Sequence, residues 1–194
     1  MSFLSKTCRS LAGCVSVLSS WLGSAQPASA VDHPDGGPSR ILLMRHAEKT
    51  GDPDDINLSG AGEKRAERLA SFIPETFGKP DFIFAAERSK RSIRSIETVE
   101  PLAAATGLKV QHDVEDRDFE DLISEIFSNP DYRGKTIVIC WHHKKLPDIA
   151  SLLGAPSGSY PDPWPEDLFN LILDFKYDAH SDRPPDVAKV IEPF

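Results

Sequence analysis

Arg45, His46, Ala47 and Glu48 stand together directly after a short apolar run, Ile41–Met44. A guanidinium beside an imidazole can both grip an anion and attack it. Arginine can hold two phosphoryl oxygens at once, which a lysine ammonium cannot. A neutral imidazole can bond to phosphorus and so divide one difficult displacement into two easier ones. Two further imidazoles, His142 and His143, follow the run Thr136–Trp141, and a second arginine, Arg94, opens the helical pattern that follows Asp81–Ala85. Two arginines and at least one further histidine are thus delivered to the ends of strand candidates, where ligand sites of open α/β sheets lie. Paired arginines there would bind a phosphoryl group and stabilise the charge that spreads over its oxygens during transfer.

Each of these residues also has a plainer reading. A lone Arg-His pair is usually a satisfied surface pair, and the cluster Arg88, Lys90, Arg91 and Arg94 by itself reads as a solvated helix face or a phosphate-contacting patch. His46, His142 and His143 lack the cysteine or carboxylate spacing of a zinc site, so neither metal nor organic cofactor is expected. His33, His112 and His180 stand among polar residues and read as surface groups.

The elements that must position these groups follow from periodicity. Ile41–Met44, Asp81–Ala85, Leu108–Gln111 and Thr136–Trp141 are strand candidates. Between them Gly62, Ala66, Leu69, Ala70 and Ile73 recur at helical spacing after a start signal at Ser59. Ile93, Ile96, Val99 and Ala103 line a second helix that Pro101 should kink or interrupt. Phe119, Leu122, Ile123 and Ile126 form a third stripe, ended by Asn129-Pro130. A helix from about Leu146 to Leu153 with a cap at Gly154, a proline-rich loop over 155–165, and closing strands at Leu168–Tyr177 and Val187–Ile191 complete the series. Alternating strands and helices predict one three-layer α/β domain over 40–194, its mostly parallel sheet flanked by helices.

With its elements in place, the chain resembles the histidine phosphatase superfamily, which includes phosphoglycerate mutases and acid phosphatases. Leu43-Met44-Arg45-His46-Ala47-Glu48 is similar to its Arg-His-Gly/Ala-Glu signature, and Leu58-Ser59-Gly60-Ala61-Gly62 to its Leu-Ser/Thr-x-x-Gly segment. Arg94 to Ala103 resembles its Arg-x-x-x-Thr-x-x-Pro-Leu-Ala segment, and Trp141-His142-His143-Lys144-Lys145-Leu146-Pro147 its Trp-x-His-x-x-Ile/Leu-Pro variant. The pieces occur in family order from Ile41 to about Tyr177. The resemblance implies a phosphoglycerate mutase-like fold and a phosphomonoester hydrolase without cofactor. In it His46 accepts the phosphoryl group, and Arg45, Arg94 and one of the paired histidines hold its oxygens. Counting from Gly134 points to His142 as that histidine; the Trp-x-His pattern points to His143 and leaves His142 to line the pocket, and this reading is preferred.

The chain departs from the family in one respect. Many acid phosphatases place a proton-donating acid directly after the second histidine, where this chain has Lys144. Glu48, Asp118 and Glu120 are the candidate donors, and the acidic stretch 113–121 and the loop 155–165 would shape the opening. Two other functions stay open: a mutase returning the phosphoryl group to a bound acceptor, and a phosphate-binding module of the same fold that has lost turnover.

Composition bounds the partners. The chain has 194 residues, an ordinary apolar fraction of 40%, and a formal charge of −8. Such a body repels nucleic acid and anionic membranes, so an anion site must be a local concentration of arginine, and a small phosphorylated molecule is the expected partner. Residues 1–30 hold Lys6 and Arg9, no acid, a short apolar run and Ala28-Ser29-Ala30, the order of a secretory signal cleaved after Ala30. An exported protein, periplasmic or extracellular, is expected, with residues 31–39 as a leader and no membrane attachment after cleavage. A lipoprotein box at Leu11–Cys14 and an organelle transit peptide rank below that reading. Cleavage would leave Cys140 alone, a small buried apolar residue incapable of an internal disulfide.

Overall fold

The computed structural model describes residues 36–181 and 183–194; the expected signal segment and most of the leader lie outside them. Six strands form one mixed sheet in the order β3-β2-β4-β1-β5-β6, comprising β1 (Arg40–Arg45), β2 (Phe82–Ala85), β3 (Val110–Gln111), β4 (Thr136–Trp141), β5 (Leu171–Lys176) and β6 (Asp186–Ile191). The first four strands run parallel, whereas β5 pairs antiparallel with β1 and β6 antiparallel with β5. β1 lies centrally, paired in register with β4 from Arg40↔Thr136 to Arg45↔Trp141.

Strand alternation divides the core in two. Leu42, Met44, Val138 and Cys140 face α1 (Gly60–Phe77) and α2 (Arg94–Thr106), while Ile41, Leu43, Ile137 and Ile139 face α3 (Phe119–Ser128) and α4 (Leu146–Leu152). Both faces of the central strands are therefore dry, which explains why β1 and β4 read as continuous apolar runs rather than alternating ones. Cys140 is fully buried, and burial pushes its thiol well up, so it packs and does not react.

The helices are built as their spacing predicts. Ser59 caps α1 by accepting from the Gly62 amide, and Ala66, Leu69, Ile73 and Phe77 form its buried stripe. α2 ends at Gly107, whose φ of 72° is left-handed. Contrary to expectation, Pro101 does not interrupt α2, which continues to Thr106. Proline removes only the bond that its own N–H would give to the Glu97 carbonyl, and the buried Val99, Leu102 and Ala103 pack the helix against the sheet on either side of that gap.

Candidate active site

β1 and β4 end side by side, and the His46 amide continues their ladder by donating to the Trp141 carbonyl at 3.2 Å. The turn that follows is pinned to α2: the Ala47 amide donates to Thr98 Oγ1 at 2.9 Å, and that hydroxyl donates to the Arg94 carbonyl at 2.7 Å. The Arg-His step and the first turn of α2 are thereby fixed to one another. Gly62 permits a further close approach, because a Cβ there would lie well inside contact distance of the Glu48 carbonyl oxygen and 3.0 Å from the Glu48 amide nitrogen.

Arg45, His46, Arg94, His142 and His143 all line one cleft of about 290 Å³, so the candidate arginines and histidines meet there. His46 is 3% exposed. Its Nδ1 donates to the Ala47 carbonyl at 2.7 Å, which leaves Nε2 with a free lone pair. Burial, followed by the charges of Arg45, His142 and Arg94, pushes its pKa down to about 3. The ring is thus neutral across the ordinary pH range, with Nε2 able to act as a nucleophile.

Arg45 is 1% exposed and lies with its guanidinium 3.9 Å from the Phe169 ring centre. Nη1 donates to the carbonyls of Pro165 and Glu166. Nε and Nη2 are buried and have no hydrogen-bond partner among the described residues. Burial lowers its pKa to about 10, so it stays cationic at neutral pH. Leaving buried charged donors unsatisfied costs more than the roughly 1–3 kcal/mol of a neutral group, a cost that an anion bound in the cleft would remove. Arg94, 8% exposed, donates from Nε to the Asn57 carbonyl at 2.9 Å and from Nη2 to the Asp55 carbonyl. Loop carbonyls thus aim both arginines.

The two following histidines differ in setting. His142 lies edge-on to His46 with ring centres 5.5 Å apart, and its Nδ1 lies 2.7 Å from the Asp116 carboxylate. His143 stands on the wall between this cleft and a neighbouring one, with Nε2 3.8 Å from Glu166. Burial and then Arg45 lower its pKa.

The three acids named from sequence all stand outside the cleft lining. Glu48 is held by Arg65, whose Nε and Nη2 donate to its carboxylate at 2.8–3.1 Å. Burial raises the Glu48 pKa, but those bonds outweigh it and the net shift is downward, which disables it as an acid. Asp118 pairs with Arg117 at 3.5 Å, and Glu120 is exposed on α3. Asp116 is the carboxylate that does line the cleft. Sequence reasoning missed it inside a run of acids, where nothing local separates it from its neighbours. Among the described residues no histidine, cysteine and carboxylate side chains group to hold a metal ion.

No family model and no curated protein matches the chain by sequence. Solved structures do match its architecture. The protein histidine phosphatase SixA in complex with tungstate has a TM-score of 0.57 at 13% identity, over 78% of this chain and 96% of that one. A mycobacterial glucosyl-3-phosphoglycerate phosphatase has a TM-score of 0.53 at 14% identity, over 79% and 97%. A protein assigned as a SixA phosphohistidine phosphatase from Agrobacterium tumefaciens has a TM-score of 0.52 at 17% identity, over 80% and 99%. At such identities the likeness is one of architecture, and on that ground the chain has the phosphoglycerate mutase-like fold that these structures share.

Proposed function

We propose that this chain is a histidine phosphatase that hydrolyses small phosphomonoesters through a phosphohistidine on His46. The observation that carries the reading is the pairing of a neutral, buried imidazole with Arg45, whose Nε and Nη2 are desolvated and without partners among the described residues. Phosphatase is also the activity named for the solved structures that share the fold.

In this reading Arg45 and Arg94 grip the phosphoryl oxygens, and His143, adjacent to Arg45, holds a third. His46 Nε2 attacks phosphorus in line, the ester P–O bond breaks, and the leaving oxygen takes a proton from the pair formed by Asp116 and His142. Water then gives a proton back to that pair as it attacks the phosphohistidine, the P–N bond breaks, and phosphate leaves with the imidazole neutral again. Asp116 takes the place that Glu48, Asp118 and Glu120 were expected to fill, because it alone of the four reaches the cleft.

The test is hydrolysis of an activated aryl phosphate by the wild-type protein and by His46→Asn, which keeps a polar side chain of similar size. The reading expects a loss of at least ~10³-fold in kcat. Hydrolysis at the wild-type rate by the folded variant would reject it.

A further inference from the structure

The cleft holds more positive charge than one phosphoryl group needs. Beyond Arg45 and Arg94 its lining includes Lys49, Arg91 and Lys144, against the single carboxylate of Asp116. All three of these rim cations are exposed, and none makes a side-chain hydrogen bond or ion pair among the described residues. This concentration sits on a chain with 22 basic and 30 acidic residues, so it runs against the composition of the whole. A solvated cation on such a surface would ordinarily find a carboxylate nearby. Here five cations face the single carboxylate of Asp116 around one cleft.

The neighbouring surface limits what they serve. Beyond Ser89 and Asp116 lies a cleft of about 580 Å³ in which Arg88, Lys90 and Arg117 are offset by Glu87 and Glu115, with Arg117 already bridged to Glu115 at 3.0 Å. Beyond His143 lies a groove of about 450 Å³, sharing Lys144 with the catalytic cleft and carrying Asp148, Asp162 and Glu166 among prolines and the largely buried Trp164. With Asp116, which lines both clefts, the flank beyond Ser89 has three acids to three bases, so the largest positive excess lies in the catalytic cleft, between a balanced flank and an acidic one. A long polyanion would have to cross those flanks. A compact molecule with two anionic groups would not.

We propose that Lys49, Arg91 and Lys144 form a second anion subsite, and that the substrates are small phosphomonoesters whose body carries a further carboxylate or phosphate. This rests on the phosphatase reading for the identity of the first group, with Arg45 and Arg94 taking the transferred phosphoryl and the rim taking the second charge. A general attraction for phosphate would be a different effect, since it would favour every phosphomonoester alike.

A matched series of phenyl phosphate, 3-carboxyphenyl phosphate and 4-carboxyphenyl phosphate separates the two. The account expects kcat/KM about tenfold higher for the better carboxylated compound, the sum of a few exposed ion pairs, with the advantage shrinking as salt is raised. In the variant Lys49→Gln/Arg91→Gln/Lys144→Gln the ratio should fall to about one. Equal turnover of all three compounds by the wild-type protein would overturn the subsite while leaving the phosphatase reading intact, as would a ratio that survives in the variant. If none of the three is turned over, the phosphatase reading fails, and the subsite is judged by calorimetric binding of the same compounds. There a preference for the carboxylated ligands that the variant abolishes sustains it, and equal affinities overturn it.

Discussion

Replacing Arg65 by methionine removes a side chain that ties the Glu48 turn to Glu192 and Phe194. Arg65 lies on α1, grips Glu48 with Nε and Nη2, and donates from Nη1 to Glu192 at 2.5 Å and to the Phe194 carbonyl at 2.9 Å. Glu192 is 2% exposed, and burial already raises its pKa to about 6 despite the arginine. Methionine keeps the volume but orphans this carboxylate, and breaking a buried pair in that way costs about 3 kcal/mol. For a chain of this size that corresponds to a fall of about 10 °C in Tm at pH 7.5. The sign of the pH effect follows from linkage. A carboxyl whose pKa is raised by folding binds more protons folded than unfolded, so its burden on stability appears as pH rises above the unfolded value and eases as pH falls. Without Arg65 the Glu192 pKa climbs further, and protonation relieves the orphaned charge. The deficit of the variant should therefore shrink between pH 7.5 and pH 5.5, and adding Glu192→Gln should recover part of it. Circular dichroism melts at the two pH values provide the measurement. An unchanged Tm at pH 7.5, or a deficit independent of pH, would refute the reasoning.

Three further outcomes are expected. Gly62→Ala should lower kcat of the folded protein at 25 °C, since the added Cβ must displace the Glu48 backbone two residues from His46; kinetics on a preparation whose melt shows it folded check this. The kcat/KM profile should show no acid limb near 6.5, the ordinary histidine value, because His46 is held at about 3, and the matching stability contribution is lost only as pH falls from 6.5 toward 3. Asp116→Asn should reduce kcat by about 10²-fold for an alkyl phosphate and by much less for an aryl phosphate with a good leaving group, a contrast that a purely structural role would not produce.

What could be read beforehand follows the range of the interactions involved. β1 and β4 were legible because both faces of each strand are buried, and the resulting apolar runs Ile41–Met44 and Thr136–Trp141 end next to the candidate histidines. Ser59 announced α1 through its capping hydroxyl, a contact spanning three residues. The direction of β5 was not legible, because antiparallel return and parallel crossover place the same apolar residues in the core. Glu48 looked available as an acid because its partner Arg65 comes 17 positions later on another element. Asp116 was hidden for the same reason, its meaning lying in a bond to His142 26 positions away. The choice between His142 and His143 turns on side-chain direction, and both enter the cleft, one beside His46 and one beside Glu166.

The central claim is that the His46 imidazole becomes phosphorylated during turnover. Rapid acid-free quenching of the protein with a phosphorus-labelled aryl phosphate, followed by peptide mapping, reads this directly. The account predicts an acid-labile, base-stable label on the peptide that contains His46, absent from His46→Asn. Turnover with the label on another residue, or wild-type turnover by His46→Asn, would contradict it.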